Sequence, residues 1–285
     1  MSRPSRCQLP LGAHVPTWLI VVIVISWILF AVVLALPWLL KRRGVEMRRT
    51  KFGPALIFEA ADDDGTPVRL LNVNGTFQSV CYLPDDLHFE LACVYHRYMA
   101  EICYDLPDAT RTLVIGGGGY SLPKWLVAHR PKLHVDAVEI DPRVTVIARE
   151  RFFLDDLIEK YGEDRISLVN DDGWDYLRRA EKPYDVIVND AFSGNHPLGQ
   201  LGTDEGAQLI REKLTPGGVY LANLRCSTRG RHARILEEVE RAFSAQFAHV
   251  AYVPEWPDKP EERGNNVLVA TDANLTLPEG AVVVK

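Results

Sequence analysis

An unbroken apolar stretch near the N-terminus is the first strong feature of the chain. From Thr17 to Leu40 the sequence reads TWLIVVIVISWILFAVVLALPWLL, and Ser26 is its only polar residue after Thr17. About two dozen residues form roughly 36 Å of helix, enough to cross a hydrocarbon core of about 30 Å. Trp18 and Trp38 stand near the ends, where indole rings favour the headgroup region. The stretch is too long for the apolar part of a signal peptide, so it predicts a single transmembrane helix.

In residues 52–84 the apolar residues alternate with polar ones, the two-residue period typical of β-strands. ALIFEA is followed by the turn-forming DDDGTP and then by VRLLNVNGTFQSVCYL. Asn74 and Gly75 separate two runs of alternating apolar residues, which predicts a β-hairpin with a type I′ turn, because both central positions need positive φ. Apolar residues then recur at helical spacing from Phe89 to Ile102, which predicts a helix there.

Short apolar strands alternate with helices after Pro107. This alternation predicts an α/β fold, in which a mostly parallel sheet is covered by helices on both faces. The predicted strands are residues 112–116, 134–140, 166–170, 184–190, 219–224, 249–253 and 266–271. A first helix is predicted to start at residues 123–128, and further helices are predicted over 142–160, 173–180, 203–213 and 231–247. A turn is predicted at residues 216–218.

Charge and cysteine content narrow the classes of function. Two arginines, Arg3 and Arg6, precede the apolar stretch, whereas six basic residues follow it, so the positive-inside rule places the C-terminal part in the cytoplasm. The same basic cluster could lie against anionic headgroups. The net charge of −6 argues against nucleic acid as the main partner. Five scattered cysteines without a C-x-x-C pair indicate free thiols and no metal site.

A glycine run follows the first strand of the predicted parallel sheet. Open parallel sheets bind ligands beyond the C-terminal ends of their strands, and residues 116–119 are all glycine. Glycine lets the backbone approach a ligand closely, and the next helix offers its N-terminal N–H groups. The run is neither a phosphate-binding P-loop nor a complete dinucleotide fingerprint. By itself it could also be a plain tight turn.

Acidic residues follow the next three strands. Glu139 ends the second strand, where a carboxylate can accept both ribose hydroxyls, although it could also be a solvated strand-end acid. Asp171 and Asp172 are well placed for the amino group of an adenine. Asp190 emerges from the buried run VIV, where a partly desolvated carboxylate can bind a cation or accept a proton. Together the four strand ends predict a Rossmann-like, methyltransferase-type sheet that binds adenosine.

These segments carry a family resemblance over roughly residues 52–272. The series LVIGGGG, VEID, DDGWDYL, YDVIVNDAF and LTPGGVYLANL resembles the spermidine synthase (polyamine aminopropyltransferase) family. LLNVNGTFQS resembles its L-D-G-x-x-Q hairpin, and Tyr95 and His96 stand at its Y-x-E helix. The DAFSG segment is similar to the membrane-associated, spermidine synthase-like branch of bacteria, which implies a location in the bacterial inner (cytoplasmic) membrane.

The resemblance implies a transferase that uses an S-adenosyl nucleoside. In the family, an aminopropyl group passes from decarboxylated S-adenosylmethionine to a diamine such as putrescine, and no metal is needed. A homodimer through the hairpin region is a further expectation. The implied catalytic residue is Asp190, and the implied nucleoside-binding residues are Gln78, Gly116, Gly117, Gly118, Glu139 and Asp172.

Three departures from the family pattern leave the reaction open. Gly119, Arg97 and Ser193 replace family acids that receive ammonium groups, which weakens the binding of a dication. Nearby acids could compensate; these are Glu90, Glu101, Asp155 and Asp156. The alternatives are a methyltransferase that uses intact S-adenosylmethionine, with Arg97 against its carboxylate, and a non-catalytic nucleoside-binding membrane protein.

The sequence predicts a division of the chain into six segments. They are an N-terminal tail (1–16), the transmembrane helix (17–40), a basic juxtamembrane linker (41–51), a small β region (52–84), a Rossmann-like catalytic domain (85–272) and a C-terminal tail (273–285).

Overall fold

The computed structural model describes residues 16–191 and 198–285. Arg3, Arg6 and Ser193 lie outside the described residues. The chain divides into two compact units, Met1–Met47 and Arg48–Lys285.

The first unit contains one long helix. Helix α1 covers Thr17–Arg42, two residues beyond the predicted end, and is long and apolar enough to cross a membrane. Ser26, its one central polar residue, donates its hydroxyl to the carbonyl of Val22 at 2.8 Å, which satisfies the polar group within the helix. The Arg42 guanidinium lies 3.8 Å from the centre of the Trp38 ring at the C-terminal end.

A four-stranded sheet follows, with the strand order β1-β2-β3-β4. Asn74 and Gly75 have φ values of 50° and 83°, which confirms the predicted hairpin turn. Strand β1 lies within residues 41–51, which were predicted to be a linker, and this corrects that prediction. Its sequence EMRRT has no alternation of apolar residues to indicate a strand, but charged residues are typical of strands at sheet edges. The strands are β1 (Glu46–Thr50), β2 (Gly53–Ala61), β3 (Pro67–Val73) and β4 (Thr76–Tyr82).

The main sheet has eight strands in the order β12-β10-β11-β9-β8-β5-β6-β7. The five strands from β9 to β7 in this order pair in parallel, and β10, β11 and β12 pair antiparallel, so the α/β prediction is confirmed. The bounds are β5 (Arg111–Ile115), β6 (His134–Glu139), β7 (Ile166–Asn170), β8 (Tyr184–Asn189), β9 (Leu214–Cys226), β10 (His249–Val253), β11 (Gly264–Thr271) and β12 (Val282–Val283). Strand β12 lies in the segment predicted as a C-terminal tail.

Helices cover both faces of this sheet. Successive residues of β5 belong to different apolar clusters, Val114 to one and Leu113 and Ile115 to the other, as expected for a strand buried on both faces. The helices of the second unit are α2 (Val94–Tyr104), α3 (Ser121–His129), α4 (Pro142–Arg151), α5 (Leu154–Tyr161), α6 (Gly173–Arg179), α7 (Asp204–Lys213) and α8 (Arg234–Gln246). The four described cysteines are free thiols, as predicted.

Two further predicted segments differ from the structure. The helix predicted over 142–160 breaks into α4 and α5 at Phe153, which has a φ of 60°. Phe152 and Leu154 are both fully buried, and residues two apart point to different sides of a continuous helix, so burying both requires the break. The turn predicted at residues 216–218 lies within β9, where the pairing with β8 shifts register as in a β-bulge.

Candidate active site

A cavity of about 460 Å³ lies at the C-terminal ends of β5, β6, β7 and β8. Strand order places Asp190, after β8, and Asp172, after β7, at opposite ends of the cavity. With strands about 4.8 Å apart, three strand spacings separate these ends by about 14 Å, the scale of a nucleoside with a short tail. All seven residues predicted to form the site line this cavity; they are Gln78, Gly116, Gly117, Gly118, Glu139, Asp172 and Asp190.

The glycine loop passes directly beneath the end of β8. Gly116 has a φ of 101°, and a Cβ atom there would lie 2.7 Å from the backbone nitrogen of Ala191. The backbone N–H of Asp190 donates to the carbonyl of Ile115 at 2.8 Å. Glycine is therefore needed at residue 116 both for its backbone conformation and for the close approach to the Asp190 strand end.

Glu139 fixes this loop with its own carboxylate. It is 7% exposed, and its Oε2 accepts the N–H groups of Gly117 at 2.7 Å and Gly118 at 3.3 Å. Its Oε1 accepts the N–H of Asp141 at 2.9 Å. A carboxylate has about four acceptor sites, so these three bonds leave capacity for a ligand hydroxyl.

Asp172 is held in place as the N-cap of α6. Its Oδ1 accepts the N–H groups of Trp174 at 2.9 Å and Asp175 at 3.3 Å. The neighbouring Asp171 also lines the cavity and forms an ion pair with Arg179. Two carboxylates with fixed positions therefore stand at the β7 end of the cavity.

Three donors orient Asp190 at the other end. Its Oδ2 accepts from His96 Nε2 at 2.8 Å and from the Tyr95 hydroxyl at 3.3 Å. Its Oδ1 accepts from Asn223 Nδ2 at 2.9 Å. Since Oδ1 receives one of these bonds, it retains an acceptor site for a ligand N–H.

The buried His96 forms an ion pair with the partly buried Asp190. Burial lowers the pKa of His96, but the Asp190 carboxylate, together with a smaller effect of Cys93, outweighs it and raises that pKa to about 9. Burial and the same carboxylate raise the pKa of Tyr95 well above its usual value. At neutral pH the imidazole is therefore charged and the phenol is neutral, so both donate to Asp190.

The sequence prediction of the site did not include His96 or Asn223. The sequence did indicate that Asn223 is unusual, because it is a polar residue inside the buried strand sequence VYLANL. His96 lies on the buried face of α2, where a histidine is compatible with an ordinary core position. Only the fold brings both side chains to Asp190.

Two of the three departures from the family pattern, Gly119 and Arg97, have clear structural positions. A Cβ atom at Gly119 would contact the Ser79 hydroxyl and lie 2.9 Å from the Phe152 ring, so an acid has no room there. Arg97 lies in a separate groove, where it donates to the Leu91 carbonyl at 2.8 Å and to the Tyr82 hydroxyl at 3.1 Å. The suggestion that Arg97 meets a cofactor carboxylate in the main cavity is therefore wrong.

The acids suggested to compensate also lie elsewhere. Glu90 and Glu101 line the separate groove, Asp155 pairs with Arg149 at 2.6 Å, and Asp156 is exposed. The described lining of the main cavity nevertheless contains four carboxylates and neither lysine nor arginine; the four are Glu139, Asp171, Asp172 and Asp190. His96, paired with Asp190, is its one cationic side chain among the described residues.

Two curated relatives are named for two different kinds of transfer. The eEF1A lysine and N-terminal methyltransferase of Homo sapiens is 31% identical over 174 residues, which cover 54% of this chain and 24% of that protein. The polyamine aminopropyltransferase of Moorella thermoacetica is 28% identical over 166 residues, which cover 57% of this chain and 58% of that protein. The chain thus spans from about a quarter to somewhat more than half the length of these relatives.

Solved structures share the fold. A probable spermidine synthase from Corynebacterium glutamicum superposes with a TM-score of 0.66 at 23% identity, covering 81% of each chain. Human methyltransferase-like protein 13 in complex with SAH gives a TM-score of 0.53 at 27% identity, covering 68% of this chain and 86% of that one. Both superpositions support the Rossmann-like α/β fold of this chain.

The family match covers most of the residues that line the cavity. Residues 92–260, more than half of the chain, match the spermine/spermidine synthase domain. This range includes the glycine loop, the acids at three strand ends, and His96 and Asn223 beside Asp190. The chain therefore belongs to the spermine/spermidine synthase domain family.

Proposed function

We propose that this chain is a transferase that moves an aminopropyl group from decarboxylated S-adenosylmethionine to a small amine such as putrescine. The observation that carries the proposal is Asp190, which three donors hold in the wall of a cavity rich in carboxylates. Glu139 and Asp172, at the other strand ends, would receive the ribose and the adenine. Gln78 and the glycine loop would contact the sugar and the tail.

The reaction needs a neutral amine and a base beside it. The amine lone pair forms a bond to the methylene carbon attached to the sulfonium, and the carbon–sulfur bond breaks with its electrons moving to sulfur. The neutral product is 5′-methylthioadenosine, and the new ammonium loses a proton to the Asp190 carboxylate. His96 and Asn223 keep this carboxylate oriented towards the amine, which supplies part of the acceleration through alignment.

The charges of the cavity favour the decarboxylated nucleoside. That molecule carries a sulfonium and an ammonium, whereas intact S-adenosylmethionine adds a carboxylate. Four acids line the cavity and its described residues include no lysine or arginine to receive that carboxylate. Electrostatic complementarity therefore supports the more cationic ligand.

Methyl transfer is the second candidate, and one observation favours it. The position of the family acid is Gly119, where Ser79 and Phe152 leave no room for a side chain. The tail ammonium of the decarboxylated nucleoside would lack that partner. The human relative at 31% identity is named as a methyltransferase.

Product analysis separates the two reactions. The full-length chain in detergent would be incubated with putrescine and either nucleoside, and the products would be identified by mass spectrometry. We expect 5′-methylthioadenosine and an aminopropylated amine from the decarboxylated nucleoside. Formation of S-adenosylhomocysteine from the intact nucleoside would instead favour methyl transfer, and no turnover of either would favour a non-catalytic nucleoside-binding protein.

We also propose that α1 anchors the chain in a bacterial inner membrane, with the transferase domain in the cytoplasm. The length and apolar composition of α1 support the span. Lys41 and Arg42 in its last turn support the orientation, because basic residues favour the cytoplasmic end of a span.

A further inference from the structure

The turn between β1 and β2 contributes an aromatic ring to the cavity. Phe52 lines the cavity together with residues of the main sheet, yet 52% of its surface is exposed. An exposed phenylalanine is ordinary on a protein surface. One that lies in the wall of a ligand cavity offers apolar surface that a ligand can cover.

Hydrogen bonds hold the backbone of this turn in place. The Thr50 hydroxyl donates to the Gly53 carbonyl at 2.7 Å and accepts the Phe52 N–H at 3.2 Å, which closes the turn. The backbone N–H of Lys51 donates to the Asp141 carboxylate. Thr50 and Asp141 are both buried, and the bond from Lys51 to Asp141 ties the turn to the end of β6.

These bonds place Phe52 at the ribose and base end of the cavity. Asp141, which holds the turn, donates its own N–H to Glu139 Oε1 at 2.9 Å. Between them in sequence lies Ile140, which also lines the cavity and is 36% exposed. Asp190 lies two strands away, so the two exposed apolar side chains are far from the reacting end.

We propose that Phe52 packs against the purine base of the bound nucleoside, together with Ile140. The inference rests on the proposed function, because it requires an S-adenosyl-type nucleoside in the cavity. A base seated at the β6 and β7 ends covers apolar surface that is otherwise open to water, and an aromatic ring fits its flat face. The turn that directly follows β1 thereby becomes part of the nucleoside site.

Phe77 provides a matched control on the same small sheet. It is 62% exposed, its ring centre lies 6.3 Å from that of Phe58, and it is not among the residues that line the cavity. Truncating Phe77 therefore removes a similar exposed ring without touching the nucleoside.

The test measures the Kd of 5′-methylthioadenosine by calorimetry on the full-length chain in detergent. This probe has the base and the sugar but no transferable aminopropyl group, so its binding does not depend on which group is transferred. We expect Phe52→Ala to raise the Kd by about tenfold or more, in line with base–aromatic stacking. Phe77→Ala should leave the Kd within about twofold, since an exposed site away from the ligand has little effect. Phe52→Trp should retain the affinity, and its added indole emission should change when the nucleoside binds.

Three results would overturn the inference, and they are distinguishable from one another. Equal Kd values for Phe52→Ala and Phe77→Ala, with normal binding by the natural chain, would remove the role of Phe52 and leave the proposed function intact. Loss of affinity in both Phe52→Ala and Phe52→Trp, without a change in indole emission, would assign the effect to the turn rather than the ring. Failure of the natural chain to bind 5′-methylthioadenosine would overturn both the inference and the proposed function.

Discussion

At the scale of single residues, Asp190 has the most direct chemical role. Its carboxylate accepts bonds from Tyr95, His96 and Asn223 and still lines the cavity. We expect Asp190→Asn to lower kcat by about 10²- to 10⁴-fold, the usual contribution of a positioned base. The Kd of 5′-methylthioadenosine should change by no more than a few fold, because the nucleoside contacts lie on other strands. Steady-state kinetics and calorimetry on the same preparation check both expectations.

Asp185, at the opposite end of the same strand, is a suitable control. It accepts the N–H groups of Thr110 at 2.8 Å and Arg111 at 3.0 Å and the Thr215 hydroxyl at 3.0 Å. Burial acts to raise its pKa, but these bonds outweigh it and lower the pKa. Its bonds therefore stabilise the fold at neutral pH and are lost as the pH falls through that lowered pKa. Asp185→Asn should reduce the melting temperature at pH 7 and leave kcat nearly unchanged. A large loss of kcat would contradict the division of roles between the two acids.

The ion pair of His96 gives a prediction about pH. The pKa of His96 is raised from 6.5 to about 9, so the pair stabilises the fold fully below about pH 6.5 and is lost as the pH rises through about 9. NMR titration of the His96 ring should therefore show a midpoint near 9. In Asp190→Asn the midpoint should fall well below 9, because burial is then opposed only by the weaker effect of Cys93. A midpoint near 6.5 in both proteins would mean that the pair does not form.

The sequence contained only part of this cluster. Asp190 was predictable because it follows the buried run VIV and must leave the core at a strand end. Its partners were not predictable, since His96 lies 94 positions and Asn223 lies 33 positions away along the chain. Such contacts depend on the packing of α2 and on the parallel pairing of β8 with β9.

At the scale of elements, the loop after β5 couples the nucleoside end of the cavity to Asp190. A Cβ atom at Gly116 would lie 2.7 Å from the backbone of Ala191, which cannot move cheaply. We expect Gly116→Ala to abolish measurable nucleoside binding. The backbone conformation alone costs a non-glycine residue about 1 to 2 kcal/mol, and the clash with Ala191 should make the loss of fold stability larger than that. Calorimetry and thermal unfolding measure the two effects.

Gly65 is the matched control for that substitution. It also has a positive φ, of 81°, but a Cβ atom there would meet nothing within 4 Å. Gly65→Ala should therefore have only the conformational cost, about 1 to 2 kcal/mol, and should bind the nucleoside normally. If both variants bind equally well, close approach of the glycine loop is not what the site requires.

Elements were predictable where an apolar run was bounded by clear turn residues. The strands β5 to β8 satisfy this condition, as does the hairpin at Asn74 and Gly75. Strand β1 was missed because its charged residues carry no apolar period, and the break at Phe153 was missed because it follows from the tertiary burial of its neighbours.

At the scale of the whole molecule, α1 determines where the proposed reaction takes place. We expect the chain to stay in the membrane pellet after alkaline carbonate extraction, as an integral protein does. Replacing Val24 and Ile28 with arginine should shift it to the supernatant, since two charges near the centre of the span cost about 5 to 7 kcal/mol. The same replacement at exposed Phe77 should leave it in the pellet. Release of the natural chain by carbonate would contradict a transmembrane helix.

The proposed function requires the cavity to accept a decarboxylated S-adenosyl nucleoside. The most direct test is a parallel calorimetric titration of the full-length chain with S-adenosylmethionine and with its decarboxylated form. Because four carboxylates and no lysine or arginine line the described cavity, the decarboxylated form should bind about tenfold or more tightly. Equal or tighter binding of intact S-adenosylmethionine would overturn the proposed aminopropyl transfer and leave methyl transfer as the better description of the site.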